Sequence, residues 1–169
     1  MAGSYSEDYY IRVLCEKVTL REVMDTHVVT VGIDQSVSEA QLQFIRHGVT
    51  HLIVVDKGNK LAGLLTPKYL YKTQSPRKIV GEEVAMDANT ILIDGESFYD
   101  KETLDSYSLR KIIMKDPFSL FVDESLARAI AVMAHKRLSC IPIIDADKKV
   151  CGIVTDLIIV QFIARILEE

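Results

Sequence analysis

Apolar positions along this chain change their spacing in a regular order. "VVTVGID" (residues 28–34) is a short extended run that ends in polar residues. Across "SVSEAQLQFIRHG" (36–48), Val37, Ala40, Phe44 and Ile45 recur at the spacing of one helical face. Ser36 with Glu39 predicts a capping box at the start of that helix, and Gly48 suits the left-handed residue after its end. Two apolar runs of strand length follow, "LIVVD" and "LAGLL", on either side of turn-prone "KGNK", which predicts a hairpin. A second helix is expected to open at Thr66.

The same order returns 89 residues later: residues 20–70 align on residues 109–159 without a gap. Leu20/Leu109, Arg21/Arg110, Asp34/Asp123, Ser36/Ser125, Gly63/Gly152 and Thr66/Thr155 are among the identical pairs. The second helical face is written with Leu126, Ala129, Ile130, Met133 and Ala134, and its hairpin with "IPIID", "ADKK" and "VCGIV". Arg128 stands in the box position and Arg137 in place of the glycine, so the ends of this helix are less well specified. The element order is β-α-β-β-α, twice. One copy of about 60 residues would be only marginally stable alone. The expected fold is therefore α+β, with two tandem repeats packed sheet to sheet around a pseudo-twofold axis. Its parts are a lead-in helix within residues 1–19, with Ser4 and Glu7 as a capping box, and a first repeat over 20–73. An acidic connector over 74–108, in which "NTILIDG" reads as a short strand, leads to the second repeat over 109–169.

Composition narrows the setting. In 169 residues, 49% are hydrophobic and 26% charged, a globular balance. A net charge of −4 gives no reason to expect nucleic acid or an anionic membrane as partner. Charges interrupt every apolar run before the ~20 residues of a membrane span, and "MAGSYSEDYY" lacks the basic and apolar regions of a signal peptide. The three cysteines, Cys15, Cys140 and Cys151, have no CxxC spacing, and the last two fall in apolar strands. These features predict small core or cleft residues, no structural zinc site and a cytoplasmic protein.

Paired strands ending in Asp, a turn, and then "GLLT" or "GIVT" opening a helix resemble a pair of cystathionine-β-synthase (CBS) domains, together one Bateman module. The resemblance covers about residues 18–167 apart from the connector. It implies adenosine-containing ligands (AMP, ADP, ATP or S-adenosylmethionine) in two clefts between the repeats, with no cofactor required. It also implies a regulated enzyme or transporter as partner, and pairing of modules into disc-shaped homodimers. In the first copy the candidate ligand-binding residues are Thr66, His51, Thr50, Tyr69 and Lys68, with Lys72 adding charge. In the second they are Thr155, Ser139, Cys140, Asp156 and Ile158. Each threonine stands where a strand feeds a helix, so its hydroxyl either serves an anion beside the free N–H groups or caps the helix itself.

The resemblance also marks two departures. The family's nucleotide-binding copies carry, three residues after the Ser/Thr, an Asp that accepts hydrogen bonds from the ribose. Tyr69 and Ile158 hold those places here. Loss of such an acceptor costs about 1.5–3 kcal/mol, roughly ten- to a hundredfold in affinity. Pro67 removes one N–H from its helix start, and Asp156 beside Thr155 would repel a phosphate. The first cleft keeps more: His51 sits where the family presents a basic side chain to phosphate.

Catalysis is not expected. "HGVTH" places His47 and His51 four apart, but Gly48 ends the helix and stands where a metalloprotease needs its Glu. Asp25 and His27 have no nucleophile near them in sequence, and Asp56 and Asp145 read as turn formers. "DLIIVQFIARILEE", with Leu157, Ile158, Val160, Phe162, Ile163, Ile166 and Leu167, is apolar over more of its circumference than one buried face requires. Such a helix either only covers the sheet of its own module or also lines a dimer interface, and the resemblance implies the second. Two functions compete: a ligand-sensing regulatory module, or a degenerate pair kept as a dimerisation and docking scaffold.

Overall fold

The computed structural model describes residues 7–74 and 108–168. Helix α1 (Glu7–Lys17) leads into the short α2 (Leu20–Val23). The first repeat runs β1 (Thr30–Gly32), α3 (Val37–His47), β2 (Leu52–Val55), β3 (Leu61–Leu65) and α4 (Pro67–Gln74). A 3₁₀ turn (Leu109–Lys111) and β4 (Met114–Lys115) open the second repeat. That repeat runs β5 (Leu120–Phe121), α5 (Leu126–Lys136), β6 (Cys140–Ile144), β7 (Val150–Thr155) and α6 (Asp156–Glu168). Ser4 and the predicted strand in "NTILIDG" lie outside the described residues.

Local chemistry explains the repeated elements. At α3 the Ser36 hydroxyl accepts the Glu39 N–H at 3.2 Å, and the Glu39 carboxylate accepts the Ser36 N–H at 2.8 Å. Gly48 closes the helix at φ 61°. Arg137 makes the same left-handed turn after α5, at φ 54° and ψ 46°, and its Cβ makes that conformation cost about 1 kcal/mol. Asp56 Oδ1 accepts the N–H groups of Gly58 and Lys60 at 2.8 and 2.9 Å. Asp145 Oδ1 does the same for Asp147 and Lys149, both at 2.9 Å. Both aspartates therefore form the hairpin turns.

The helical faces are narrower than their apolar spacing suggests. Ile45 is 69% exposed, and Ala134 is exposed as well. Phe44 already points inward, and the next residue along a helix is turned by about 100°.

β1 runs parallel to β2, which pairs antiparallel with β3 in the register Leu52↔Leu65. β5 runs parallel to β6, which pairs antiparallel with β7 in the register Cys140↔Thr155. Leu52, Val54 and Leu65 sit in a core with Phe44 of α3. Ile53, Val55 and Leu64, on the opposite face, pack against Cys140 of the other sheet. Burial on both faces is why these strands read as unbroken apolar runs.

Each repeat completes its core with a segment of the other. β4 belongs to the second repeat in sequence, yet it adds to the first sheet through Leu64↔Met114. In mirror fashion Asp25 bridges to Ile153, with backbone hydrogen bonds of 3.0 Å in both directions. Leu20 is fully buried among Leu120, Ile141 and Ile143, and Leu109 among Val31, Leu52 and Leu65. Two ion pairs repeat the exchange: Arg21 Nη2 to Asp123 Oδ1 at 3.0 Å and Arg110 Nη2 to Asp34 Oδ1 at 2.7 Å. The hydrogen bond from Arg110 holds the Asp34 carboxyl below its ordinary range. Exposed pairs contribute about 0–1 kcal/mol each, while each buried leucine contributes about 1.5–3 kcal/mol. The leucines therefore dominate. On the pseudo-axis the hairpin tips meet through Lys60↔Lys149.

The exchanged segments pass so close that glycine is the residue that fits beneath them without a neighbour moving. A Cβ on Gly152 would lie 2.5 Å from Met24 Sδ and 3.0 Å from the Asp25 carbonyl, and one on Gly63 2.7 Å from Ile113 Cδ1. Two substitutions are therefore expected to move thermal stability in opposite directions. Gly152→Ala should destabilise by about 1–3 kcal/mol through overpacking. Arg137→Gly should stabilise by about 1 kcal/mol by relieving the left-handed turn. Melting curves would read these as about 2–4 °C per kcal/mol.

Candidate functional site

Four strand ends converge on one edge at the junction of the repeats. His51 directly precedes β2, and the register Leu52↔Leu65 brings it beside Thr66. Cys140 directly faces Thr155. His51 Nε2 lies 3.0 Å from Ser139 Oγ, and its Nδ1 lies 2.9 Å from Thr50 Oγ1, so one imidazole links the two repeats. The Asp156 N–H donates to the Ser139 carbonyl at 3.1 Å. The fold thus gathers Thr50, His51, Thr66, Ser139, Cys140, Thr155 and Asp156.

The remaining candidates lie further out. Lys68 is exposed on α4, and the side chain of Lys72 is outside the described residues. Tyr69 is half-buried against the first core. Ile158 is half-buried against Cys15, Val23 and Leu126.

Burial sets the chemistry of this edge. It lowers the pKa of His51, an effect partly offset by the Asp156 charge. A neutral imidazole offers one donor and one acceptor, matched here to two hydroxyls. Burial, with Asp156 adding to it, pushes the Cys140 thiol up to about 12, so it stays protonated and is not poised as a nucleophile or metal ligand. Among the described residues no cluster of three or more metal-ligating side chains occurs, and no helix is long and apolar enough to cross a membrane.

The two helix starts differ. Thr155 Oγ1 accepts the Ile158 N–H at 3.2 Å, and Asp156 Oδ1 accepts the Leu157 N–H at 2.8 Å. The first turn of α6 is therefore capped by its own side chains. At α4, Pro67 brings no N–H, and the Tyr69 N–H turns to the Thr66 carbonyl at 2.9 Å.

A feature not foreseen from the residues alone lies beside the second edge. An open groove of ≈ 570 Å³ runs between α2 and α6, lined by Val23, Asp25, Ile158, Gln161, Ala164, Arg165 and Glu168. Four of these, at 158, 161, 165 and 168, share one helical face by spacing, which was the available signal.

The lowered pKa of His51 fixes the sign of a pH effect. The unfolded chain binds this proton more readily than the folded one, so stability rises with pH across the transition. The His51 contribution is complete above its ordinary value near 6.5. It is lost as pH falls toward the depressed folded value. Denaturant unfolding between pH 8 and 5 should show this loss in the native protein and a smaller one in His51→Gln.

The CBS domain pair of protein MJ0100, in complex with 5′-methylthioadenosine and S-adenosylmethionine, is 19% identical with a TM-score of 0.64, covering 87% of this chain and 96% of that one. The structure of CBSX2 in complex with AMP is 19% identical with a TM-score of 0.65, covering 88% and 98%. At these identities the likeness establishes the fold. A homoserine O-acetyltransferase of Methanosarcina acetivorans is 24% identical over 147 residues, which is 87% of this chain and 22% of that protein. The chain spans about a quarter of the length of the curated relatives it matches. The family model described as "CBS domain" matches residues 20–75 and again 109–165, and the chain belongs to the CBS domain family.

Proposed function

We propose that this chain is a regulatory ligand-sensing module, in which an adenine nucleotide or related adenosyl compound binds between the repeats and a partner protein reads the change. The observation that carries this reading is the convergence of strand ends from both repeats, linked across by His51 and Ser139. A ligand seated there touches both repeats, so its affinity depends on how they are set against each other. The complexes of MJ0100 and CBSX2 with adenosyl compounds support the ligand class. The contacts are assigned to Thr66, His51, Thr50, Tyr69 and Lys68 on one side. Thr155, Ser139, Cys140, Asp156 and Ile158 serve the other.

The regulated partner is an enzyme or transporter, and the module itself is a cytoplasmic homodimer without catalytic activity. The homoserine O-acetyltransferase relative, matched over about a fifth of its length, supports an enzyme as the partner class. A second reading, a docking scaffold with idle clefts, draws on α6: Leu157, Val160 and Leu167 are 61%, 62% and 80% exposed.

A thermal-shift panel of AMP, ADP, ATP, NAD, S-adenosylmethionine and 5′-methylthioadenosine separates the two. A ligand at 100 times its dissociation constant adds about 2.7 kcal/mol, or about 5–10 °C for a domain of this size. A shift confined to adenosyl compounds and reduced in the Thr66→Ala/His51→Ala double variant is expected. A flat panel at millimolar concentrations, with dimerisation that Leu157→Asp disrupts, would establish the scaffold instead.

A further inference from the structure

The groove beside α6 carries a charge pattern opposed to the one a phosphate needs. Val23 and Ile158 give it an apolar lining, while Asp25, Glu168, Arg165 and Gln161 supply the polar groups. Asp156, at the head of the same helix, is outside this lining, and its charge acts on His51 and Cys140. The Asp25 carboxylate is held in place by the His27 N–H at 2.8 Å. The Arg165 guanidinium rests 5.9 Å from the centre of the Phe162 ring. Among the described residues neither Arg165 nor Glu168 is spent on an ion pair.

The first copy has no such pattern. The positions of Asp25 and Asp156 are occupied there by Met114 and Pro67, at the repeat offset of 89. Acidity therefore belongs to the second cleft. Two carboxylates against one guanidinium disfavour a phosphate monoester and attract a cation, with each unit charge at contact distance changing affinity about fivefold in water. A guanidinium fork is in turn the natural partner of a carboxylate. Together these groups complement an α-amino acid end attached to a positive sulfur. The groove's ≈ 570 Å³ is in the range of about 300–1,000 Å³ that small-molecule sites occupy.

We propose that this groove seats the tail of a phosphate-free adenosyl compound, preferring a sulfonium with an amino acid end over a neutral thioether and excluding nucleotide phosphates. The proposal rests on the reading that an adenosyl compound binds between the repeats. Asp25 and Glu168 serve the positive sulfur and ammonium, and Arg165 serves the carboxylate.

Isothermal titration of the full chain at fixed ionic strength tests it with three probes: S-adenosylmethionine, 5′-methylthioadenosine and AMP. Affinity is expected to fall in that order. Asp25→Asn and Arg165→Gln should each weaken S-adenosylmethionine about fivefold and leave 5′-methylthioadenosine within about twofold. Both side chains are exposed, and melting curves would verify folding of the variants. AMP binding more tightly than 5′-methylthioadenosine, or variants that weaken every probe alike, would overturn this inference and leave the sensor reading standing. Absence of heat with all three probes would overturn both.

Discussion

Leu20 sits among side chains of the second repeat, and Leu109 among those of the first, so neither core is complete without the other's lead segment. The geometry that follows is tight. Gly63 and Gly152 are the residues over which the exchanged segments cross, and a Cβ at either place would force the Ile113 or Met24 side chain to move. Once the segments are crossed, the pseudo-twofold relation is no longer a choice. It places β4 on β3, Asp25 on Ile153, and the hairpin tips back to back.

The candidate site inherits its character from that crossing. The lead segment that fills the second core also delivers Asp25 to the groove beside α6, whereas its counterpart delivers Met114 to the first side. Two halves with the same backbone plan are thereby given different charge. At the shared edge the contrast is milder: a half-buried imidazole in one copy, a buried thiol in the other, with Asp156 acting on both.

Much of this was legible in the residues. The constant offset of 89 marked the repeat, the hydrophobic period marked α3, α5 and the hairpin strands, and Asp56 and Asp145 announced their turns. Ile45 misled because an apolar residue next to Phe44 satisfies helical spacing loosely while pointing elsewhere. The exchange was not legible, since periodicity tells which face is buried and not which sheet buries it. Yet Leu20/Leu109, Arg21/Arg110 and Asp34/Asp123, conspicuous as identical pairs, turn out to be the residues that make the exchange. The groove escaped because its lining joins α2 to α6 across more than a hundred residues of chain.

The crossed segments bear on how such a chain could arise. A single ancestral unit with its own lead segment would have had an open seat in its core and a leucine with nowhere of its own to go. Two identical copies would have solved both problems at once by trading segments, as the two repeats do here through Leu20 and Leu109. Joining two such copies in one polypeptide would free them to diverge. A residue such as Asp25 could then change on one side while Met114 served the other.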